Sequence, residues 1–102
     1  MVEHLTDQDF DEKTAAGTVL VDFHADWCGP CGLLDPVLEA LAEELGGDAH
    51  IMKLDVDVNR RIAERYSVSA IPYLLLCKDG KIVEKFLGLQ DVDTLRIALR
   101  SA

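Results

Sequence analysis

The apolar pattern of the chain predicts an α/β protein, with a central mixed, mostly parallel β-sheet and helices on both of its faces. Three observations carry this expectation. Strand-like and helix-like stretches alternate along the chain, the order that right-handed crossovers turn into a parallel core. Thr18-Val19-Leu20-Val21-Asp22-Phe23 is β-branched and almost continuously apolar, as a strand buried on both faces must be. Asp79-Gly80 stands between two apolar runs, a hairpin signal that adds an antiparallel edge to the sheet.

Each element has its own signal. Val2 to Leu5 reads as a short first strand. Thr6-Asp7-Gln8-Asp9 offers an N-cap hydroxyl and early acids to a short helix that stops near Gly17. Thr18 to Phe23 follows as the central strand. From Pro30 to Leu45 the residues Leu33, Leu34, Val37, Leu38, Leu41, Ala42 and Leu45 recur at steps of three and four, and Gly46-Gly47 ends the run. This is the strongest helix in the chain, with a kink expected at Pro36, which removes one backbone donor. Ala49 to Val56 is the next strand and Arg60 to Tyr66 a short helix. Tyr73 to Lys78 and Ile82 to Leu87 flank the hairpin turn, and a last amphipathic helix runs from Asp91 to Leu99.

With 102 residues, no repeat and no low-complexity stretch, the chain is expected to form one domain over residues 1–102. A chain of this size buries enough surface to fold without a structural metal or disulfide staples. Nineteen acidic against ten basic residues give a net charge of −9, which opposes nucleic-acid phosphates and anionic lipid surfaces alike. Its apolar runs fall short of the roughly 18 residues that cross a bilayer. Neither nucleic acid nor a membrane is therefore expected as a partner. Met1-Val2-Glu3-His4 has neither the basic start nor the apolar stretch of a secretion signal, so the expected location is the cytoplasm, or an organelle after removal of a targeting segment.

In such a sheet, functional groups collect where strand ends meet helix N-termini. Ala25-Asp26-Trp27-Cys28-Gly29-Pro30-Cys31 sits at one of these places. Two cysteines three apart at the start of a helix share one face and lie within reach of a disulfide. Unpaired backbone N–H groups and the positive helix end favour a thiolate at the first of them. Since the thiolate is the attacking species in disulfide exchange, Cys28 reads as the nucleophile and Cys31 as the resolving thiol. Pro30 suits the first helical turn, where an N–H has no partner. Haem attachment would need His after the second cysteine, and Gly32 stands there. Zinc would need two further ligands, and Cys77, His4, His24 and His50 show no paired spacing, so neither metal nor cofactor is expected. A purely structural bridge closing so short a loop would constrain little of the unfolded chain.

These residues, with His4-Leu5-Thr6-Asp7, Val21-Asp22-Phe23, Ile71-Pro72, Asp79-Gly80 and Gly88, make the chain resemble the thioredoxin family over essentially its whole length. The resemblance implies the thioredoxin fold, a dithiol that reduces disulfides in client proteins, and recycling by a thioredoxin reductase. It also implies a cis bond before Pro72 facing the dithiol, and a client surface that includes Trp27, Gly29, Pro30, Ile71, Pro72 and Gly88. A monomer is expected.

Asp22 is a carboxylate within an apolar strand, where burial would raise its proton affinity. Its family counterpart assists deprotonation of the resolving cysteine, and Lys53 matches the family's lysine partner to that carboxylate. Cys77 alternates with Tyr73 and Leu75, the pattern of a core side chain. His24 reads as a packed histidine near the dithiol, and Trp27 as a platform for clients. Gly32 departs from the usual Lys or Arg after the second cysteine, Tyr73 from the usual Thr after the cis proline, and Ala70 from the usual Gly before Ile71. These changes border the client groove and bear on client choice and reductase recognition. Two other functions compete with the reductase. One is an oxidase or isomerase, which Gly29-Pro30 between the cysteines disfavours. The other is a binding module that docks an assembly regardless of redox state.

Overall fold

The computed structural model describes residues 2–102. In chain order the elements are β1 (Glu3–Leu5), α1 (Phe10–Lys13), β2 (Thr18–His24), α2 (Gly29–Leu45), β3 (His50–Asp55), α3 (Arg60–Arg65), β4 (Tyr73–Lys78), β5 (Lys81–Leu87) and α4 (Val92–Ser101). Every expected element forms. The largest boundary differences are in α1, whose regular turns begin at Phe10 rather than just after Thr6 and end at Lys13 rather than near Gly17. Thr6 still organises the preceding turn: the Asp9 N–H donates to Thr6 Oγ1 at 3.3 Å, and the Thr6 N–H donates to Asp9 Oδ1 at 2.7 Å. This is a reciprocal cap with Asp in the place of the usual Glu.

The five strands form one sheet in the order β1-β3-β2-β4-β5. All seven residues of β2 are buried, which fits its place in the middle. β1 and β2 both run parallel to β3, whereas β4 runs antiparallel to β2 and β5 antiparallel to β4. Four strands therefore point one way and β4 alone opposes them. That corrects one expectation, because the reversed strand lies inside the sheet and the edge strand β5 does not reverse relative to β2. α3 has only six residues, and the connection that carries it does not take the chain back to the far end of the sheet. β4 instead begins beside the end of β2, with Tyr73 opposite Phe23.

Alternation along the strands sends two apolar layers to opposite faces. Leu20, Ile51, Leu74, Leu76 and Phe86 pack with Leu34, Leu38, Leu41 and Leu45 of α2 and with Leu95 and Leu99 of α4. Val19, Val21, Phe23, Met52, Leu54, Leu75 and Cys77 pack with Phe10 of α1 and with Ile62 and Ala63 of α3. Cys77 is thus a core residue, as its alternation with Tyr73 and Leu75 predicts, and burial pushes its thiol up to about 11. Arg96 of α4 forks onto Glu44 of α2, with contacts of 2.7 and 2.9 Å, and joins the two helices at their solvent edge. Asp79 and Gly80 both adopt positive φ, 50° and 83°, as a two-residue hairpin turn requires. The turn is tied to the start of β2, with Asp79 Oδ1 accepting from the Gly17 N–H at 2.8 Å.

α2 runs without a break from Gly29 to Leu45 and contains Pro36. Gly32 sits exposed in its first turns, and a methyl group there would meet nothing within 4 Å. Gly32→Ala should therefore stabilise the protein by about 0.5–1 kcal/mol through helix propensity alone, read as a higher urea midpoint with an unchanged denaturant slope.

Candidate active site

β2 ends at His24, and a tight turn closed by the Cys28 N–H on the Ala25 carbonyl, at 3.1 Å, delivers the chain into α2. Cys28 is the N-cap of that helix, with extended backbone at φ −86° and ψ 107°. The Cys31 N–H donates to Cys28 Sγ at 3.3 Å. A sulfur thus occupies the place where a capping Ser or Asp oxygen would sit, accepting one of the N–H groups that the helix start leaves unpaired. Pro30 fills an adjacent position where no donor is needed, and the first turn carries no acidic side chain to oppose a negative sulfur. Cys28 and Cys31 are joined as a disulfide with their Cα atoms 5.3 Å apart. When the bridge is reduced, the geometry favours charge on Cys28, the N-cap, over Cys31, inside the first turn.

The chain around the pair comes from three other segments. Ala25 packs with both cysteines, and Val56 and Ile71 lean on this small cluster. The Ile71-Pro72 bond is cis, as the resemblance implies. Gly88 follows β5 with φ of 85°, and its N–H donates to the Pro72 carbonyl at 2.8 Å, which joins two of the expected surface residues. Trp27 is 71% exposed beside Cys28. Its indole Nε1 donates to Asp57 Oδ2 at 2.8 Å, so the ring is held in place while its faces stay in water. Gly29 and Pro30 are also exposed, Ile71 and Gly88 are half-buried, and Pro72 is buried.

The face of β2 that meets α2 carries Leu20, Asp22 and His24 in alternation. Asp22 is fully buried, and neither of its carboxylate oxygens has a hydrogen-bond partner. Burial pushes its carboxyl up to about 7, against a partial opposing pull from the Lys53 ammonium. Lys53 stands opposite Asp22 in the β2–β3 register. Its Nζ, however, donates to Asp35 Oδ1 of α2 at 2.6 Å. Lys53 and Asp22 are thus register neighbours coupled by charge without a hydrogen bond, and a second carboxylate takes the ammonium's bond. His24 is buried with an unpartnered Nε2, and desolvation holds its imidazole below the ordinary value.

Two residues of this neighbourhood escape a reading of the sequence. Asp57, the tether of Trp27, gives no signal, because its partner lies thirty residues away. Asp35 is signalled only by its spacing, one helical turn beyond Cys31 on the same face.

The raised proton affinity of Asp22 has a stability consequence. Between about pH 4 and pH 7 the folded state keeps a proton that the unfolded state has released, so stability falls as pH rises through that window. Above it the charge costs on the order of 4 kcal/mol. Asp22→Asn should therefore exceed the parent in stability at pH 8 by up to a few kcal/mol, and lose that advantage by pH 4. Urea denaturation across the range checks it.

The thioredoxin family model matches residues 1–101. A thioredoxin of Chlamydia trachomatis is 54% identical over 95 residues, covering 93% of this chain and 92% of that protein. A Staphylococcus aureus thioredoxin is 50% identical over 91 residues, covering 89% of this chain and 88% of its own length. A solved structure of a mutant thioredoxin from Halobacterium salinarum superimposes with a TM-score of 0.89 at 44% identity, covering 97% of this chain and 88% of that one. A family match along nearly the whole chain, with a cysteine pair at a helix start in the matching spacing, places the chain in the thioredoxin family of dithiol thiol–disulfide oxidoreductases.

Proposed function

We propose that the chain reduces disulfides in client proteins, with Cys28 as nucleophile, Cys31 as resolving thiol and Asp22 as the proton acceptor of Cys31. The observation that carries the assignment is the Cys31 N–H donating to Cys28 Sγ at the helix start, which stabilises negative charge on one sulfur of the pair. In the first step the Cys28 thiolate attacks one sulfur of the client disulfide, forms a mixed disulfide and expels the other client sulfur as thiolate. Cys31 then gives its proton to Asp22, and its sulfur attacks Cys28 Sγ. The second client thiolate leaves, and two electrons have moved from the dithiol to the client. The product is the Cys28 to Cys31 bridge seen in the structure. A thioredoxin reductase returns the two electrons.

Asp22 suits the proton transfer because its midpoint near neutrality lets it both accept and release a proton at physiological pH. Trp27, Gly29, Pro30, Ile71, Pro72 and Gly88 surround the pair and form the surface on which a client segment lies. Lys53 acts on Asp22 through space. One copy contains every one of these residues, so a monomer suffices. The cytoplasm, whose thiols are kept reduced, suits the activity.

Cys31→Ser should accumulate client proteins as stable mixed disulfides on Cys28, while Cys28→Ser should trap very few. Non-reducing gels of either variant after exposure to a disulfide-containing client distinguish the two orders of attack, and equal adduct yields would overturn the assignment. Asp22→Asn should slow the resolving step by roughly 10- to 100-fold in stopped flow, since water replaces the lost acceptor poorly.

A further inference from the structure

Asp22, Lys53 and Asp35 form a row that leads from the core to solvent. Asp22 is 0% exposed, the Lys53 side chain 15% and the Asp35 side chain 43%. Two carboxylates flank one ammonium, and the ammonium is hydrogen-bonded to the outer one. The inner one is left with two buried oxygens and no partner. An ammonium on a flexible four-carbon stem can serve either acid. We propose that Asp35 is a positioning residue for the resolving step: by anchoring the Lys53 ammonium on α2, it holds that charge back from Asp22 and so sets the pH at which Asp22 exchanges its proton. The functional part of this inference rests on the reading of Asp22 as proton acceptor.

The surroundings leave this row as the dominant electrostatic influence on Asp22. Leu74 of β4 lies opposite Asp22 on its other side and carries no charge. α2 contributes Cys31, within the disulfide, together with Asp35 and Glu39. β1 contributes His4, opposite Lys53 in register and in edge contact with the His24 ring at 6.3 Å. β2 contributes His24, whose charged form burial disfavours, and β3 contributes Lys53 and Asp55. α4 adds the apolar Leu95 and Leu99 to the same layer. Of these groups, the charges that bear on Asp22 are Lys53, which lowers its proton affinity, and Asp35, which raises it. A recess of about 130 Å³ lined by Val2, His4, Asp35, Leu38, Glu39 and Lys53 lets solvent reach the ion pair.

Asp35 acts on Asp22 in two ways with the same sign. Its own negative charge disfavours a second one nearby, and its grip on Lys53 denies Asp22 a direct hydrogen bond. Removing the charge at position 35 reverses both effects. With the charge at position 35 gone, the Asp22 carboxylate competes better for the ammonium.

The test follows the Asp22 carboxyl by carbon-13 NMR titration in the full chain, beside the pH profile of the resolving step. In Asp35→Asn the Asp22 midpoint should fall by about half a unit to one unit. Asp35→Glu should restore the parental value, and Lys53→Gln should raise the midpoint. Combined with Lys53→Gln, the effect of Asp35→Asn should shrink to less than half. An unmoved midpoint in Asp35→Asn overturns the proposal. So does an equal fall in Asp35→Glu, which would report a packing change, or an undiminished effect without Lys53. If the midpoint moves as expected and the resolving profile does not follow it, the coupling stands and the proton-acceptor role of Asp22 is the part that fails.

Discussion

The complete burial of β2 is the constraint from which the architecture follows. A strand with no exposed residue needs a hydrogen-bonded neighbour on each edge and a helical layer on each face. β3 and β4 supply the edges, α2 and α4 one layer, α1 and α3 the other. The turn after β2 leads directly into α2, so the last residues of the most buried strand meet the first turn of the longest helix. Cys28 occupies that junction. Its sulfur receives a backbone N–H there because the helix start must satisfy its donors, and the packing of β2 holds the helix start in place.

The same burial creates the chemical tension at the site. A carboxylate on a fully buried strand is costly to ionise, and Asp22 has no hydrogen bond to offset the cost. An apolar side chain would be less costly at that position at neutral pH. A stability deficit on the order of a few kcal/mol is a large share of what a domain of this size has available. The deficit and the proposed proton transfer come from one cause: the desolvation that destabilises the charged form is what brings its midpoint near neutrality.

Cys28, Gly29, Pro30 and Cys31 were legible because the chemistry is contiguous: the spacing of the cysteines and the helical period behind them lie within one stretch of chain. The burial of Asp22 followed from the apolar residues on both sides of it in β2, and Asp79-Gly80 from the positive φ that its turn demands. Asp35 was not legible in the same way. Its pairing with Lys53 joins a helix to a strand eighteen residues away, and only the packing of α2 over the sheet determines which of two carboxylates the ammonium meets. α3 shows the same limit. Its N-cap Asn59 makes no capping bond, and Asp7, from the loop before α1, accepts from the Ile62 N–H at 2.9 Å and from the Arg61 N–H at 3.1 Å.

By itself the sequence determined the elements, the dithiol at a helix start and the buried acid in β2, because each is written in local period, turn chemistry or cap chemistry. The tertiary structure decided the direction of β4, the partner of Lys53 and the cap of α3. Each of those depends on a distance across the fold. For β4 it is the end of the sheet to which the connection through α3 delivers the chain; for Lys53 and Asp7 it is which side chain the packed layers leave within about 3 Å of an unpaired polar group, a quantity that spacing along the chain does not encode.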